Sequence, residues 1–139
     1  MAEIVEYSSI DDMRCAVEWL TERIRRKSGN YTLNFPADWM PATGLSAFGE
    51  DGSLLAVATL YLEKSSPVAV CGWCVSNPAN DVKTSYRAVN MLLEEMPEYA
   101  RNKGAKYLLT TFGDRGINAI LDRLGFVDGE KSENKFLIL

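Results

Sequence analysis

The chain has 139 residues and 47% of them are hydrophobic, so it can bury the core of one ordinary domain without metal or disulfide cross-links. Its formal net charge of -4 provides no excess of cations to neutralise phosphates, which argues against nucleic acid as the main ligand. The chain contains no histidine, which excludes Ser-His-Asp and Cys-His nucleophiles, imidazole bases and histidine-ligated zinc.

The cysteines Cys15, Cys71 and Cys74 indicate the compartment. An odd number of cysteines, in a chain that shows no signal-peptide pattern and no apolar run long enough to span a bilayer, favours a reducing setting. The sequence therefore predicts a cytoplasmic protein without a membrane partner.

The predicted elements begin with a strand at residues 3–7 and an amphipathic helix. Ser9 precedes Asp12 by three residues, as in a helix N-terminal cap. Apolar residues then recur at helical spacing: Met13, Ala16, Val17, Leu20 and Ile24. The helix is predicted to end in the basic stretch 23–27, before residues 29–30. These cations are expected to form a solvated helix end, with partner binding as the alternative.

Residues 31–44 lack a clear period. They contain Pro36 and Pro41, so the segment is predicted to form a loop or a broken helix. Phe35 and Trp39 within it are expected to cap the core, or alternatively to line the mouth of a substrate site.

Three strands of an antiparallel meander are predicted next. Residues 45–48 and 53–62 are strand-like, and the acidic, glycine-containing segment 50–52 between them is a tight-turn signal. Residues 68–75 are almost wholly apolar, which suits a central strand buried on both faces.

Cys71 and Cys74 lie in this last strand with the C-x-x-C spacing that also occurs at redox and zinc sites. Residues three apart in a strand point to opposite faces, so the two thiols are not expected to converge. They are predicted to be small buried hydrophobic residues, with Cys74 as a pocket-lining thiol the alternative, and no metal is expected. Trp19 and Trp73 are likewise predicted to pack in the core.

The second half of the chain predicts a β-α-β unit. A polar segment, 76–83, leads into a helix that ends near Gly104 and is marked by Val89, Leu92, Leu93, Met96 and Ala100. A strand at 106–112, a short helix at 117–124 and a closing strand at 136–139 follow. The fold class is therefore α/β with a mixed sheet, in which an antiparallel meander joins a β-α-β unit. A ligand is expected where strand becomes helix, at 75–89.

Residues 118–126 resemble the short helix with a terminal Gly-Phe signature of the GCN5-related N-acetyltransferase (GNAT) family. Upstream lie an apolar strand, a helix carrying Leu92-Leu93 and a further strand, in the order of that family. The resemblance covers most of the chain and is strongest over residues 68–126. It implies a single GNAT-like domain over residues 1–139.

The resemblance also implies a site for acetyl-CoA. In the family, the strand that is similar to residues 68–75 splays from its neighbour, and its backbone pairs with the pantetheine arm. The start of the next helix receives the pyrophosphate on backbone N–H groups and the helix dipole. The residues that this implies for cofactor binding are Cys74, Val75, Ser85, Tyr86, Arg87, Ala88, Val89, Asp114 and Asn118.

Four positions depart from the family pattern and make the site degenerate. Arg87 and Val89 stand where the Arg/Gln-x-x-Gly-x-Gly/Ala phosphate loop has residues that let phosphate approach the amides. Arg87 is expected either to bind the phosphates through its guanidinium or to be a solvated helix-start residue. Leu121 occupies the place of the tyrosine that protonates the leaving thiolate in many relatives. Asp114 replaces a family asparagine, and Asn118 is its possible substitute.

Two functions stay open, so the sequence does not decide whether the chain is an enzyme. One is N-acyl transfer from acetyl-CoA to an amine of an unknown acceptor, with Glu63, Asp81 or Asp114 as the base. The other is a non-catalytic binding or structural protein on the same scaffold, similar to degenerate GNAT-like proteins of tailed phages. A phage protein would act on a protein partner in the host cytoplasm or the virion. The chain is expected to be a monomer or a homodimer.

Overall fold

The computed structural model describes residues 3–6 and 10–130, which form six strands and three α-helices. In chain order these are β1 Glu3–Glu6, α1 Ile10–Ser28, β2 Gly44–Phe48, β3 Leu54–Thr59, β4 Val68–Cys71, β5 Cys74–Ser76, α2 Val82–Asn102, β6 Tyr107–Thr110 and α3 Arg115–Arg123, with a 3-10 turn at Ala37–Trp39 between α1 and β2. The predicted cap Ser9 and the predicted strand at 136–139 lie outside the described residues.

The strands confirm the predicted mixed sheet. Strands β1, β2, β3 and β5 pair in that order, each antiparallel to its neighbour, which is the expected meander with β1 added at its edge. Strand β4 pairs with β6 in parallel through the helical crossover α2, which is the expected β-α-β unit. Among the described helices, none is long and apolar enough to cross a membrane.

The apolar run that the sequence predicts as one strand is divided into β4 and β5 by a β-bulge. Tyr61 faces Val70, but Ala58 faces Cys74, so two residues on one side oppose three on the other. The extra residue lies at Gly72-Trp73. The Trp73 N–H donates to the Thr59 hydroxyl at 3.0 Å instead of to a backbone carbonyl. A bulge bends its strand and increases the local twist, which turns β4 and β5 toward different partners.

The bulge also corrects the prediction for the C-x-x-C pair. Cys71 and Cys74 are both fully buried in one core cluster, on the face of the sheet that α2 and α3 cover. The prediction that they point to opposite faces is wrong, because it assumed a regular two-residue period and the bulge adds one residue. Both thiols are free, as the prediction of small buried side chains requires.

Helices cover both faces of the sheet. Helices α2 and α3 pack on one face through residues such as Leu92 and Ile120. Helix α1 packs on the other face with Ala16 and Leu20, against Val57 of β3, in a second core cluster. The two faces of the sheet are therefore covered by different helices and carry different side chains.

Candidate functional site

An opening separates β5 from β6. The parallel pairing of β4 with β6 runs from Val68 opposite Tyr107 to Cys71 opposite Thr110. Beyond the bulge, β5 pairs with β3, and within the described residues it is the edge strand of its sheet. The splayed strand pair that the resemblance implies is therefore present, with Cys74 and Val75 on one side of the opening.

The main chain of β5 presents hydrogen-bonding groups to this opening. The backbone bonds to β3 fall on alternate residues, from Thr59 N–H to the Trp73 carbonyl and from Asn77 N–H to the Leu55 carbonyl, each at 2.8 Å. Because bonded pairs alternate along an antiparallel ladder, the peptide groups of Cys74 and Ser76 point away from β3. They are the groups that an extended ligand could pair with in the manner of an added strand.

Arg23 of α1 reaches into the opening, and the sequence analysis missed it. Its guanidinium donates a hydrogen bond of 3.0 Å to the Cys74 carbonyl, and its side chain is half-buried. Burial lowers the pKa of Arg23, whereas the nearby Cys74 and Asp114 raise it. The prediction that residues 23–27 form a purely solvated helix end is wrong for Arg23. Its spacing of three residues from buried Leu20 is the signal that places it on the inner face of α1.

The N-terminus of α2, where the resemblance places the pyrophosphate, is closed by a carboxylate. Helix α2 begins at Val82, and the Asp81 side chain accepts a 2.7 Å hydrogen bond from the Thr84 N–H. This bond lowers the pKa of Asp81. The Ser85 N–H donates to the Asp81 carbonyl. The Lys83 backbone N–H also contributes to lowering the pKa of Asp81, so the cap carboxylate occupies the amides of the first helical turn.

The other residues predicted at this position lie further inside α2. Ala88 and Val89 are buried in the core cluster, so their side chains are not at the surface. The amides of residues 85–89 are helix-internal, and phosphate contacts in this segment would come from the exposed side chains of Tyr86 and Arg87 and the half-buried one of Ser85. Their role in cofactor binding stays a prediction.

Tyr86 joins α2 to α3. Its hydroxyl accepts a 2.6 Å hydrogen bond from Arg123, which also donates to the Asn90 side chain at 3.1 Å. This bridge lies at the protein surface, on the side of the sheet that α2 and α3 cover. Through it, Tyr86 connects α2, the helix after β5, to α3, the helix after β6.

Asp114 and Asn118 organise the turn after β6. The Asp114 carboxylate caps α3 by accepting from the Ile117 N–H at 3.0 Å. The Asn118 side-chain amide donates to the carbonyls of Phe112 and Asp114 at 2.8 and 3.0 Å, so this NH₂ group holds the loop. Leu121 is buried in the core and cannot donate a proton.

Of the three carboxylates predicted as bases, Asp114 is the one that borders the opening. It follows β6, and its charge affects the pKa of both Arg23 and Cys74. Glu63 lies in the loop before β4, at the end of that strand away from the bulge, and accepts a hydrogen bond from the Ser65 hydroxyl. Asp81 is held as the cap of α2.

Sulfur and metal chemistry find little support at the opening. Burial raises the pKa of the Cys74 thiol to about 12, so it stays protonated at neutral pH and is a poor nucleophile. Among the described residues, no group of three or more His, Cys, Asp or Glu side chains is placed to hold a metal ion.

Aromatic side chains fill the α1 face beside the bulge. Phe35 meets Trp39 and Trp73 edge-on, with ring centroids 5.5 and 4.9 Å apart. Tyr61 ties this group together, because its hydroxyl donates to the Trp39 carbonyl at 2.5 Å and accepts from the Trp73 indole at 2.8 Å. The prediction that Phe35 and Trp39 cap the core is confirmed, as are the core positions of Trp73 and Trp19.

The comparisons with known proteins bear on the fold. No family model and no curated protein matches the chain. Solved structures do: a Trypanosoma brucei acetyltransferase has a TM-score of 0.60 at 15% identity, covering 99% of this chain and 100% of its own. A ribosomal-protein-alanine N-acetyltransferase from Brucella melitensis has a TM-score of 0.65 at 12% identity, covering 98% and 99%. An aminoglycoside N-acetyltransferase in complex with CoA has a TM-score of 0.57 at 14% identity, covering 99% and 95%. With the splayed strands described above, these likenesses show that the chain has the fold of the GNAT acetyltransferases.

Proposed function

We propose that the chain is an N-acyltransferase that takes an acetyl group from acetyl-CoA and passes it to an amine. The observation that carries this proposal is the edge of β5, where the peptide groups of Cys74 and Ser76 face an opening instead of a strand. The amides of a pantetheine arm are suitable partners for such an edge, and one of the structurally similar acetyltransferases was solved with CoA.

The residues of the chain fit acetyl-CoA unequally. The β5 edge offers the peptide groups of Cys74 and Ser76 at the spacing of a strand, which fits the arm, and Arg23 already donates to the Cys74 carbonyl. The helix end at α2 fits the pyrophosphate less well, because Asp81 places a negative charge where phosphate oxygens would lie. Arg87 is exposed one turn further along α2 and supplies a positive charge against this repulsion.

Bound acetyl-CoA would supply an activated acyl group as a thioester. Asp114 is the group that we assign as the base, since its carboxylate borders the opening near Cys74 and Arg23. The β5 amides would stabilise negative charge on the acyl oxygen. Leu121 offers no proton to the leaving sulfur, so solvent must supply it and turnover should be slow.

The proposal is tested by calorimetry and by release of free thiol. Titration with acetyl-CoA should give saturable binding and a rise of the melting temperature by ligand linkage. Thiol release should then depend on an added amine. If acetyl-CoA binds but an added amine causes no release of thiol, the chain is a binding protein on the same scaffold and not an acyltransferase. No binding at millimolar acetyl-CoA would contradict the proposal altogether.

A further inference from the structure

A cavity of about 240 Å³ lies on the α1 face of β5. Its walls are Trp19, Arg23, Arg26 and Lys27 of α1, and Val75, Ser76 and Pro78 of β5 and the segment after it. Helices α2 and α3, which carry the residues predicted to bind the cofactor at 85–89 and 118, cover the other face of the sheet, whereas Val75 lies on the cavity face. The cavity is therefore distinct from the start of α2, although it adjoins the same strand.

The cavity is electropositive. Three of the side chains that line it are cationic and none is a carboxylate. Arg26 pairs with exposed Glu22, Arg23 donates to the Cys74 carbonyl, and among the described residues no ion pair holds Lys27. This concentration of positive charge stands out in a chain whose formal net charge is -4.

The helix dipole does not account for this arrangement. Cations at a helix C-terminus are stabilised by the dipole when they lie in the last turn and remain solvated. Arg25, Arg26 and Lys27 occupy that turn, but Arg23 precedes it and turns inward at a cost in desolvation, as its lowered pKa reflects. The hydrogen bond to the Cys74 carbonyl and the nearby Asp114 hold Arg23 in this position, beside the two cations of the last turn.

Arg23 connects the cavity to the opening. It lines the cavity and also contacts the Cys74 carbonyl, which faces the opening between β5 and β6. The cavity is smaller than the roughly 300–1,000 Å³ of a complete small-molecule site, so it suits one end of a ligand. A ligand held there by one end would extend along Arg23 toward the acyl carbon.

We propose that this cavity binds a carboxylate or phosphate group of the acceptor, so that the substrates are amines carrying such an anionic group. The inference rests on the proposed function. Arg26 and Lys27 hold the anion, and Arg23 orients the chain that leads to the amine. The amine nitrogen then bonds to the acyl carbon and loses a proton to Asp114. The carbon–sulfur bond breaks, and its electron pair leaves with the thiolate.

The first test compares matched amines in the thiol-release assay. Suitable pairs are β-alanine with β-alaninamide and phosphoethanolamine with ethanolamine. The kcat/KM should favour the anionic member of each pair by about tenfold or more, as expected for charge-assisted hydrogen bonds. The double variant R26Q/K27Q should reduce this ratio to near one. The control Arg14→Gln removes an exposed cation from the same helix and should leave the ratio unchanged.

The second test measures anion binding without turnover. Inorganic phosphate should shift the indole ¹⁵N–¹H signal of Trp19, assigned with Trp19→Phe, in the wild type and in Arg14→Gln but not in R26Q/K27Q. Phosphate in this role is a probe of the cavity alone. The same titration with CoA and with dephospho-CoA shows whether phosphates of the cofactor occupy the cavity instead.

Four results would overturn the inference. Equal acetylation of charged and neutral amines would do so while leaving the proposed acyl transfer intact. A Trp19 signal that does not shift when phosphate is added would also overturn it. So would a Trp19 signal that shifts with CoA but not with dephospho-CoA, because a cofactor phosphate would then occupy the cavity. Failure of every amine to release thiol would reject the proposed function and the acceptor class together, and the phosphate titration would still show whether the cavity binds anions.

Discussion

Single residues decide whether this scaffold still works as an enzyme, and Asp114 is the first of them. Its carboxylate has two roles in the proposal, since it caps α3 and accepts the proton of the amine. These roles can be separated, because asparagine keeps a side-chain oxygen for the cap and has no basic carboxylate.

Asp114→Asn should therefore lower kcat by about a hundredfold, because the amide cannot accept the proton of the amine. The affinity for acetyl-CoA and the melting temperature should change little, because the bond from the Ile117 N–H persists. Steady-state kinetics and calorimetry on the same preparation measure both. If kcat is unchanged, Asp114 is not the base, and water or another residue accepts the proton.

In the proposed function, the Asp81 carboxylate opposes binding of the pyrophosphate at the start of α2. Asp81→Asn should keep the cap on the Thr84 N–H while removing the negative charge from the start of α2. If the pyrophosphate binds there, the Kd for acetyl-CoA should fall by about two- to fivefold. Asp38→Asn, which removes an exposed charge from the 3-10 turn, is the matched control. If the two variants bind acetyl-CoA with equal affinity, the phosphates do not bind at this helix end.

At the scale of elements, the β-bulge at Gly72-Trp73 creates the site. It ends the pairing with β6, turns β5 toward β3 and brings Cys71 and Cys74 to one face. Gly72 is needed there for space, since a Cβ at this position would lie 2.5 Å from the ring of Tyr61. That ring cannot move freely, because its hydroxyl is bonded to the Trp39 carbonyl and the Trp73 indole.

Gly72→Ala should consequently lower the free energy of unfolding by about 1–3 kcal/mol, as overpacking does in a tight core. Urea denaturation measures the change. Gly113→Ala is the control, because a Cβ at Gly113 would meet nothing within 4 Å. Equal stability of the two variants would show that Tyr61 repacks at no cost.

The elements were largely predictable, whereas the site was predictable only in outline. Helix periodicity located α1 and α2, and the apolar run at 68–75 located the central strand. Gly72 is the one sign of the bulge in that run, because an isolated glycine within a strand pattern often marks a bulge, and the sequence analysis missed it and so misassigned the faces of Cys71 and Cys74. Arg23 appeared to belong to a basic helix end, because its carbonyl partner is 51 residues away in the chain. Contacts of that separation follow from tertiary packing and not from local pattern.

For the whole molecule, the Glu6 cluster connects β1 to the end of α2 and should make stability depend on pH. Glu6 accepts hydrogen bonds from Lys103 at 2.9 Å and from Tyr99 at 2.8 Å, and these lower its pKa below the ordinary 4.5. A carboxyl group whose folded pKa is lowered stabilises the fold above its unfolded pKa. That contribution is lost as the pH falls through the folded value.

Glu6→Gln should thus destabilise the protein by at most about 1 kcal/mol near pH 7, since the pair is partly exposed. At a pH low enough to protonate Glu6 in the folded protein as well, variant and wild type should unfold alike. Thermal unfolding at both pH values measures this convergence. Glu98→Gln removes a more exposed ion pair with Arg101 and should change less at neutral pH. A gap between wild type and Glu6→Gln that persists in acid would assign the effect to packing.

The edge of β5 is made of peptide groups, and every amino acid except proline carries the same ones. Mutations at Cys74 or Ser76 can accumulate without deleting a single donor or acceptor from it, provided that the strand keeps its path. The hydrogen-bonding pattern of this edge therefore depends on the course of the backbone and not on which side chains the strand carries. Substitutions along the strand can change its sequence widely and still leave the same peptide donors and acceptors in place.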